Sequence, residues 1–509
     1  MKGSIQYEDP FSSCANILAR KFDTAYEVQD KDGILEIIKE AKSCLQSLDN
    51  LSQAQIHYSL GTSYSDLAIL DPSFQDESNS EKQIYHLRKS IELIEKDTMV
   101  DKKYLPYVNG LKRILYTNYA NSLDKLGRKI LALTYYKKAL KIDPAFGMAM
   151  GNIGMAYFHY GTLVYDNSHR DYFHHFAYDF LTAAISNKAG IQPEAMEAFK
   201  RQINLYDKEF VQKFLKKKLK IPQFKYDDPE ELTYRKWVLS NTLFLNPLND
   251  LSNKELCFAA DVLQLPNLLV RIGEKPAFHG MFNQLKQEYI FARFQYYQSL
   301  NFPNDTHFAD KDTYLIDTLD YPQYSIRLEQ KKAAFRVLYS LLDKIAFFIN
   351  SYFDLGIKEH DVSYRNIWRA EKSGKNGYKY KTTLDISANY PLKAIYWICK
   401  DFYDVLDEAP NPAAKELSNL RNSLEHKYVK VFLDDFLVTP GDNVDDLATY
   451  ISEARLNELT MQLIRDIREA LINVSLAVHV EEQRKKAALH ETTFVPEIAL
   501  MGYDDEWKI

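Results

Sequence analysis

The sequence predicts an all-α protein, a helical repeat array followed by a four-helix bundle. Three observations predict it. Gly and Pro are sparse, at 17 each in 509 residues, so long stretches run without a helix breaker. Residues 51–98 and 113–161 repeat one helix-turn-helix pattern. From 325 onward, apolar residues recur at helical spacing in four segments with short breaks. The length suffices for two or three cores, and we expect boundaries at 1–195, 196–324 and 325–509.

The N-terminal residues MKGSIQYEDPFSS hold no apolar stretch of signal-peptide length. No run of about 18 apolar residues occurs, which argues against a membrane span. Cys14, Cys44, Cys257 and Cys399 are far apart and form no Cys-x-x-Cys pair, so a disulfide framework or zinc knuckle is not expected. These features predict a cytoplasmic protein without cofactor or metal. The net charge of -6 gives no global attraction to nucleic acid, so an RNA site must be a local basic patch.

Residues 113–146 read RILYTNYANSLDKLGRKILALTYYKKALKIDPAF. Ala120 and Ala132 sit at two tight crossings, Gly127 makes the turn, and Pro144 closes the unit. Shifted by 34 residues, Gly154, Tyr157 and Gly161 take the places of Ala120, Leu123 and Gly127. Upstream, Gly61 and Tyr64 do the same, and the helix that follows is delayed by an acidic, Ser-rich insertion at 71–80. These units resemble tetratricopeptide repeats. One repeat cannot bury its apolar face alone, so stacking is expected. The concave face of such a stack is expected to hold an unknown protein or peptide partner.

The middle is mixed. The run QKFLKKKLK at 212–220 reads as a solvated helix face, and FLNPLNDL at 244–251 as an apolar strand or turn. Residues 301–314 read as a loop. His169, His174 and His175 lack the helical spacing and added carboxylate of a metal site.

Four helices are expected in the C-terminal part: about 326–355, 391–407 with Pro391 in its first turn, 413–433, and 444–488. An exposed basic loop or hairpin at 371–383 joins the first two. On the third helix Leu417, Leu420, Leu424 and Val431 form an apolar stripe, with Tyr428 on it. Arg421 falls at its edge, while Asn422 and His426 share the opposite face, one turn apart.

The stretch RNSLEHKY places an Arg, a polar residue directly after it and, four intervening positions after the Arg, a His on one helix. Decoys exist: Arg170 with His175 lies beside the array and outside any four-helix bundle, Arg484 with His490 lies at a lysine-rich helix end, and neither has the following Asn. With the bundle around it, the segment resembles the HEPN (higher eukaryotes and prokaryotes nucleotide-binding) family. The pairing with repeats resembles a bacterial branch linked to phage defence. That resemblance implies a ribonuclease with Arg421, Asn422 and His426 as catalytic residues. It also implies a link to antiviral defence or a toxin–antitoxin pair. In the latter, Tyr428 resembles a tyrosine that a partner modifies by nucleotide transfer.

RNA carries its own nucleophile, the 2′-OH. Cleavage without metal needs a base, an acid for the leaving 5′-oxygen and a cation for the phosphate. His426 suits proton transfer and Arg421 a phosphate clamp, with Asn422 orienting either. One chain supplies one such His, so a homodimer through the bundle is expected to bring two sets together. The competing expectation is a repeat scaffold whose bundle binds nucleotide or RNA, or only dimerises. An Arg421–Glu425 surface pair with an exposed His is the bland reading of the motif.

Overall fold

The structure is a computed structural model. It describes residues 10–508 apart from 97–100, 188–189, 218, 271–272, 274, 303–305, 373–377, 381–383, 403–410, 412–413, 434–444, 446 and 491–499. The array comprises α1 (Ser13–Glu27), α2 (Lys31–Cys44), α3 (Asn50–Leu70), α4 (Glu77–Lys96), α5 (Leu105–Lys125), α6 (Lys129–Ile142), α7 (Gly147–Leu163), α8 (Asn167–Asn187) and α9 (Pro193–Asn204). Side-chain caps start several of them: Ser12, Asp30 and Asp49 accept from the backbone N–H three residues on. Close crossings explain the small residues. A Cβ on Gly61 would lie 2.7 Å from Leu87 Cγ, and one on Gly154 would lie 2.6 Å from Leu181 Cγ. α4 begins at Glu77, inside the stretch read as an insertion.

The middle holds a single turn α10 (Lys208–Phe210), α11 (Pro229–Ser240) and α12 (Ala277–Leu300). Between α11 and α12 runs a mostly irregular segment whose first part is buried. Every residue from Leu243 to Leu251 is buried. Some of its polar groups pair within the segment, as a buried loop requires. Asn249 Oδ1 accepts from Phe244 N at 3.2 Å, and Asn246 Nδ2 donates to Phe258 O at 3.1 Å.

The C-terminal part comprises α13 (Ile326–Tyr352), a hairpin of β1 (Arg369–Lys372) and β2 (Tyr378–Tyr380), α14 (Tyr390–Lys400), α15 (Ala414–His426), β3 (Tyr428–Phe432), β4 (Ala448–Ser452) and α16 (Glu453–Ala487). The hairpin lies where a basic loop or hairpin was expected. α13 packs along α12 and against α15 and α16, and α14 packs on α16. Two expected helices are shorter than the sequence suggested. The third stops at His426, and Tyr428–Phe432 pairs in parallel with Ala448–Ser452. The run YVKVF is rich in β-branched and aromatic residues, which favour a strand once a partner strand lies alongside. The fourth helix starts at Glu453, where Ser452 Oγ accepts from Arg455 N at 3.1 Å. Tyr428 therefore does not sit on the helical apolar stripe; it is 36% exposed on a strand.

One apolar core runs from α3 through α16, while α1, α2 and part of α3 enclose a smaller one. The array is thus not a free-standing solenoid. Gly127, with φ of +89°, turns the α5–α6 corner so close to α14 that an added Cβ would sit 2.9 Å from Ala394 N and Tyr390 O. Beside it Arg128, 1% exposed, reaches into the bundle. Its guanidinium donates to Asp401 at 2.5 Å, Asp466 at 3.2 Å and Glu469 at 2.8 Å. Arg88 also pairs with Asp401. Burial pushes the Asp466 carboxyl up to about 7, while the two guanidinium groups overcome burial and hold Asp401 below its ordinary value. A second tie passes through the buried middle segment. Arg468 of α16 donates to Phe244 O at 2.6 Å and Asp250 Oδ1 at 2.8 Å, and Tyr160 of α7 donates to Asp250 Oδ2 at 3.1 Å.

Tyr157 stands on the inner array helix, as the repeat phase predicts, but it is fully buried. Its hydroxyl donates to Asp250 O at 3.1 Å. The chain's own middle segment covers that part of the inner surface, so Tyr157 is not open to a partner. The stretch 308–324 is different. Phe308, Tyr314, Ile316 and Leu319 are 79%, 91%, 71% and 77% exposed.

Candidate active site

α15 presents two faces. Leu417 and Leu420 are buried against the bundle and Leu424 is half-buried, so the apolar stripe lies where the spacing put it. Asn419, Asn422 and His426 are exposed on the opposite side. His426 is the last residue of the helix and Asn422 lies one turn before it. Arg421 is half-buried at the border between the faces. Its Nη1 donates to Asn422 Oδ1 at 3.0 Å, and its guanidinium lies 5.5 Å from the centre of the Tyr339 ring. The alternative Arg421–Glu425 pair is not formed, and among the described residues no carboxylate pairs with Arg421. The structure thus brings Arg421 and Asn422 into direct contact and leaves His426 on the neighbouring open surface.

On its inner side, Arg421 opens into a cleft of about 550 Å³ between α12, α13 and α15. Met281, Leu285, Phe347 and Phe348 form an apolar wall. Arg336 and Arg421 supply positive charge, and Glu359 and Glu425 negative charge at the rim. Lys344 also lines it but is paired with Glu288 at 2.6 Å. The cleft residues of α13 escaped sequence reading, although Arg336, Tyr339, Asp343 and Phe347 recur every three or four positions on one face. That helix read as core, and α12 read as part of a connecting stretch.

Tyr428 lies beyond the helix end. Its hydroxyl is 3.2 Å from that of Tyr324. Burial, with this hydrogen bond second, pushes the Tyr324 phenol up to about 12. Lys430 behind it is bound by Asp320 and Asp445, whose hydrogen bonds outweigh burial and raise its ammonium value. Lys430 is therefore neutralised locally and offers little to a phosphate. Among the described residues, Arg421 and Arg336 are guanidinium groups at this cleft with no carboxylate partner.

The first decoy pair and the neighbouring His174 are engaged elsewhere. Arg170 donates to Val164 O at 3.1 Å, His174 contacts the Tyr206 hydroxyl at 3.1 Å, and His175 packs on Phe214. Among the described residues no helix is long and apolar enough to cross a membrane. No curated protein and no solved structure matches the chain. The family comparison does give a match, which begins in the stretch before α12, within what the sequence suggested was a connecting region. Residues 269–481 match the family model described as LA2681-like HEPN, so the chain contains a HEPN-family domain that takes in α12 to α15, most of α16, and Arg421, Asn422 and His426.

Proposed function

We propose that the chain is a metal-independent endoribonuclease that works as a homodimer. The observation that carries this is the state of α15: an Arg421 guanidinium without a carboxylate partner among the described residues, held by Asn422, one turn from an exposed His426. A guanidinium held in place but not neutralised suits two phosphate oxygens. His426 removes the 2′-OH proton in one active site, and the His426 of the facing copy protonates the leaving 5′-oxygen. The products carry 2′,3′-cyclic phosphate and 5′-OH ends. The polar face of α15 is open in one chain, which leaves room for the second copy.

The array regulates this chemistry in the same proposal, within bacterial antiviral defence or as the toxin of a toxin–antitoxin pair. Coupling runs through the contacts of Arg128 and Asp250 with α14 and α16. A partner on the array changes activity only by its difference in affinity between two arrangements of the bundle pair.

The test is cleavage of total RNA by the full chain in EDTA. His426→Ala should abolish it, with an unchanged circular dichroism spectrum, because the exposed side chain leaves no cavity. Cleavage by a folded His426→Ala chain at the wild-type rate would refute the assignment. If the wild-type chain binds RNA but never cleaves it, the bundle is a binding module.

A further inference from the structure

The cleft beside Arg421 holds charges that would be expected to cancel and do not. Arg336 and Arg421 line it together with Glu359 and Glu425, yet among the described residues none of the four takes part in an ion pair. Opposite charges kept apart around one cavity suit a ligand that carries an anion at one end and N–H donors at another. The apolar wall adds a third requirement. Phe347 is 40% exposed at the cleft, a large aromatic face offered to solvent. A flat ring stacks on such a face. The volume of about 550 Å³ falls in the range of small-molecule sites.

We infer that this cleft is a base-recognition subsite that takes one guanine of the RNA, next to the phosphate held by Arg421. The inference rests on the ribonuclease reading above and deepens it. Guanine is the base whose edge presents two adjacent donors, N1–H and the N2 amino group. A carboxylate accepts both in a two-pronged contact. Adenine and cytosine place a ring acceptor beside their amino group, and uracil flanks its single N–H with two carbonyls, so each meets a carboxylate with repulsion. Glu425 lies one turn after Arg421 on the cleft side of α15 and is the primary acceptor. Glu359 approaches from the loop after α13. Arg336 meets the next phosphate, and Phe347 stacks on the ring. The occupant is RNA, because Arg421 joins the cleft to the open face that carries His426.

The experiment uses the full-length protein and fluorescent oligonucleotides that are 2′-deoxy at the cleavable position, so binding is read without cleavage. Four oligonucleotides differ only in the base at one site. The guanine form should bind about 5- to 150-fold more tightly than the others, the range for one two-pronged base contact. Glu425→Gln should remove most of that preference, and Phe347→Ala should weaken all four alike. Circular dichroism shows that each variant is folded. Equal binding of the four bases overturns the inference, as does a preference that survives in both Glu425→Gln and Glu359→Gln. Tighter binding of free GMP than of the guanine oligonucleotide overturns the assignment to RNA. Sequencing of cleaved random RNA separates this from the reading it rests on. Cleavage without a guanine at a fixed position removes the subsite and keeps the ribonuclease. Guanine-selective binding without any cleavage keeps the subsite and removes the ribonuclease.

Discussion

Replacing Arg128 by Ala tests how firmly the array is bound to the bundle. The guanidinium is almost fully buried and donates to three carboxylates: Asp401, Asp466 and Glu469. Without it, Arg88 still pairs with Asp401, while Asp466 and Glu469 lose their guanidinium hydrogen bonds from Arg128. Removing one partner from a buried ionic cluster costs about 3–5 kcal/mol, because the remaining charges stay desolvated. Total stabilities are about 5–15 kcal/mol, so this is a large fraction. The loss should depend on pH. Burial already raises Asp466 from 3.8 to about 7, and Arg128 opposes that rise. In the variant the carboxyl rises further. A raised carboxyl contributes stability below its unfolded value and loses it as pH climbs through the folded value. The deficit of Arg128→Ala should therefore be largest near about pH 8 and smaller near about pH 5. Urea unfolding at both values measures it. A deficit below about 1 kcal/mol at the higher pH, or one that grows toward the lower, would refute the reasoning.

Three other outcomes are expected. Asp466→Asn removes the buried charge whose second oxygen has no hydrogen-bond partner among the described residues, so thermal melts of the variant should vary less with pH between about 4 and 8 than those of the wild type. Gly127→Ala must adopt a positive φ and press a methyl onto the α14 backbone, a cost of about 2–5 kcal/mol in denaturant unfolding. Tyr428→Phe loses one hydrogen bond at a 36% exposed side chain, and its stability should stay within about 0.5 kcal/mol of wild type.

The parts of the fold that depend on local spacing were legible in the sequence. Small residues such as Gly61 and Gly154 announce helix crossings. What depends on distant partners was not legible. Tyr428 and Val431 keep helical phase with Leu424, so the run after His426 reads equally well as helix until Ala448–Ser452 pairs with it. Tyr157 has the phase of an inner array residue, but no pattern tells that Asp250 and Leu251 cover it. The helix and face of Arg421, Asn422 and His426 followed from periodicity. The cleft beside them did not, because it needs α12, α13 and α15 to meet.

The core shared by array and bundle also constrains how this protein exchanges parts with its relatives. A crossover between residues 128 and 401 separates Arg128 from Asp401, Asp466 and Glu469. One falling between 250 and 468 separates Asp250 from Arg468. A chimera of two divergent parents would inherit mismatched buried charges at one seam or the other. The two halves should therefore have a common genealogy, diverging by point substitution and not by shuffling whole arrays.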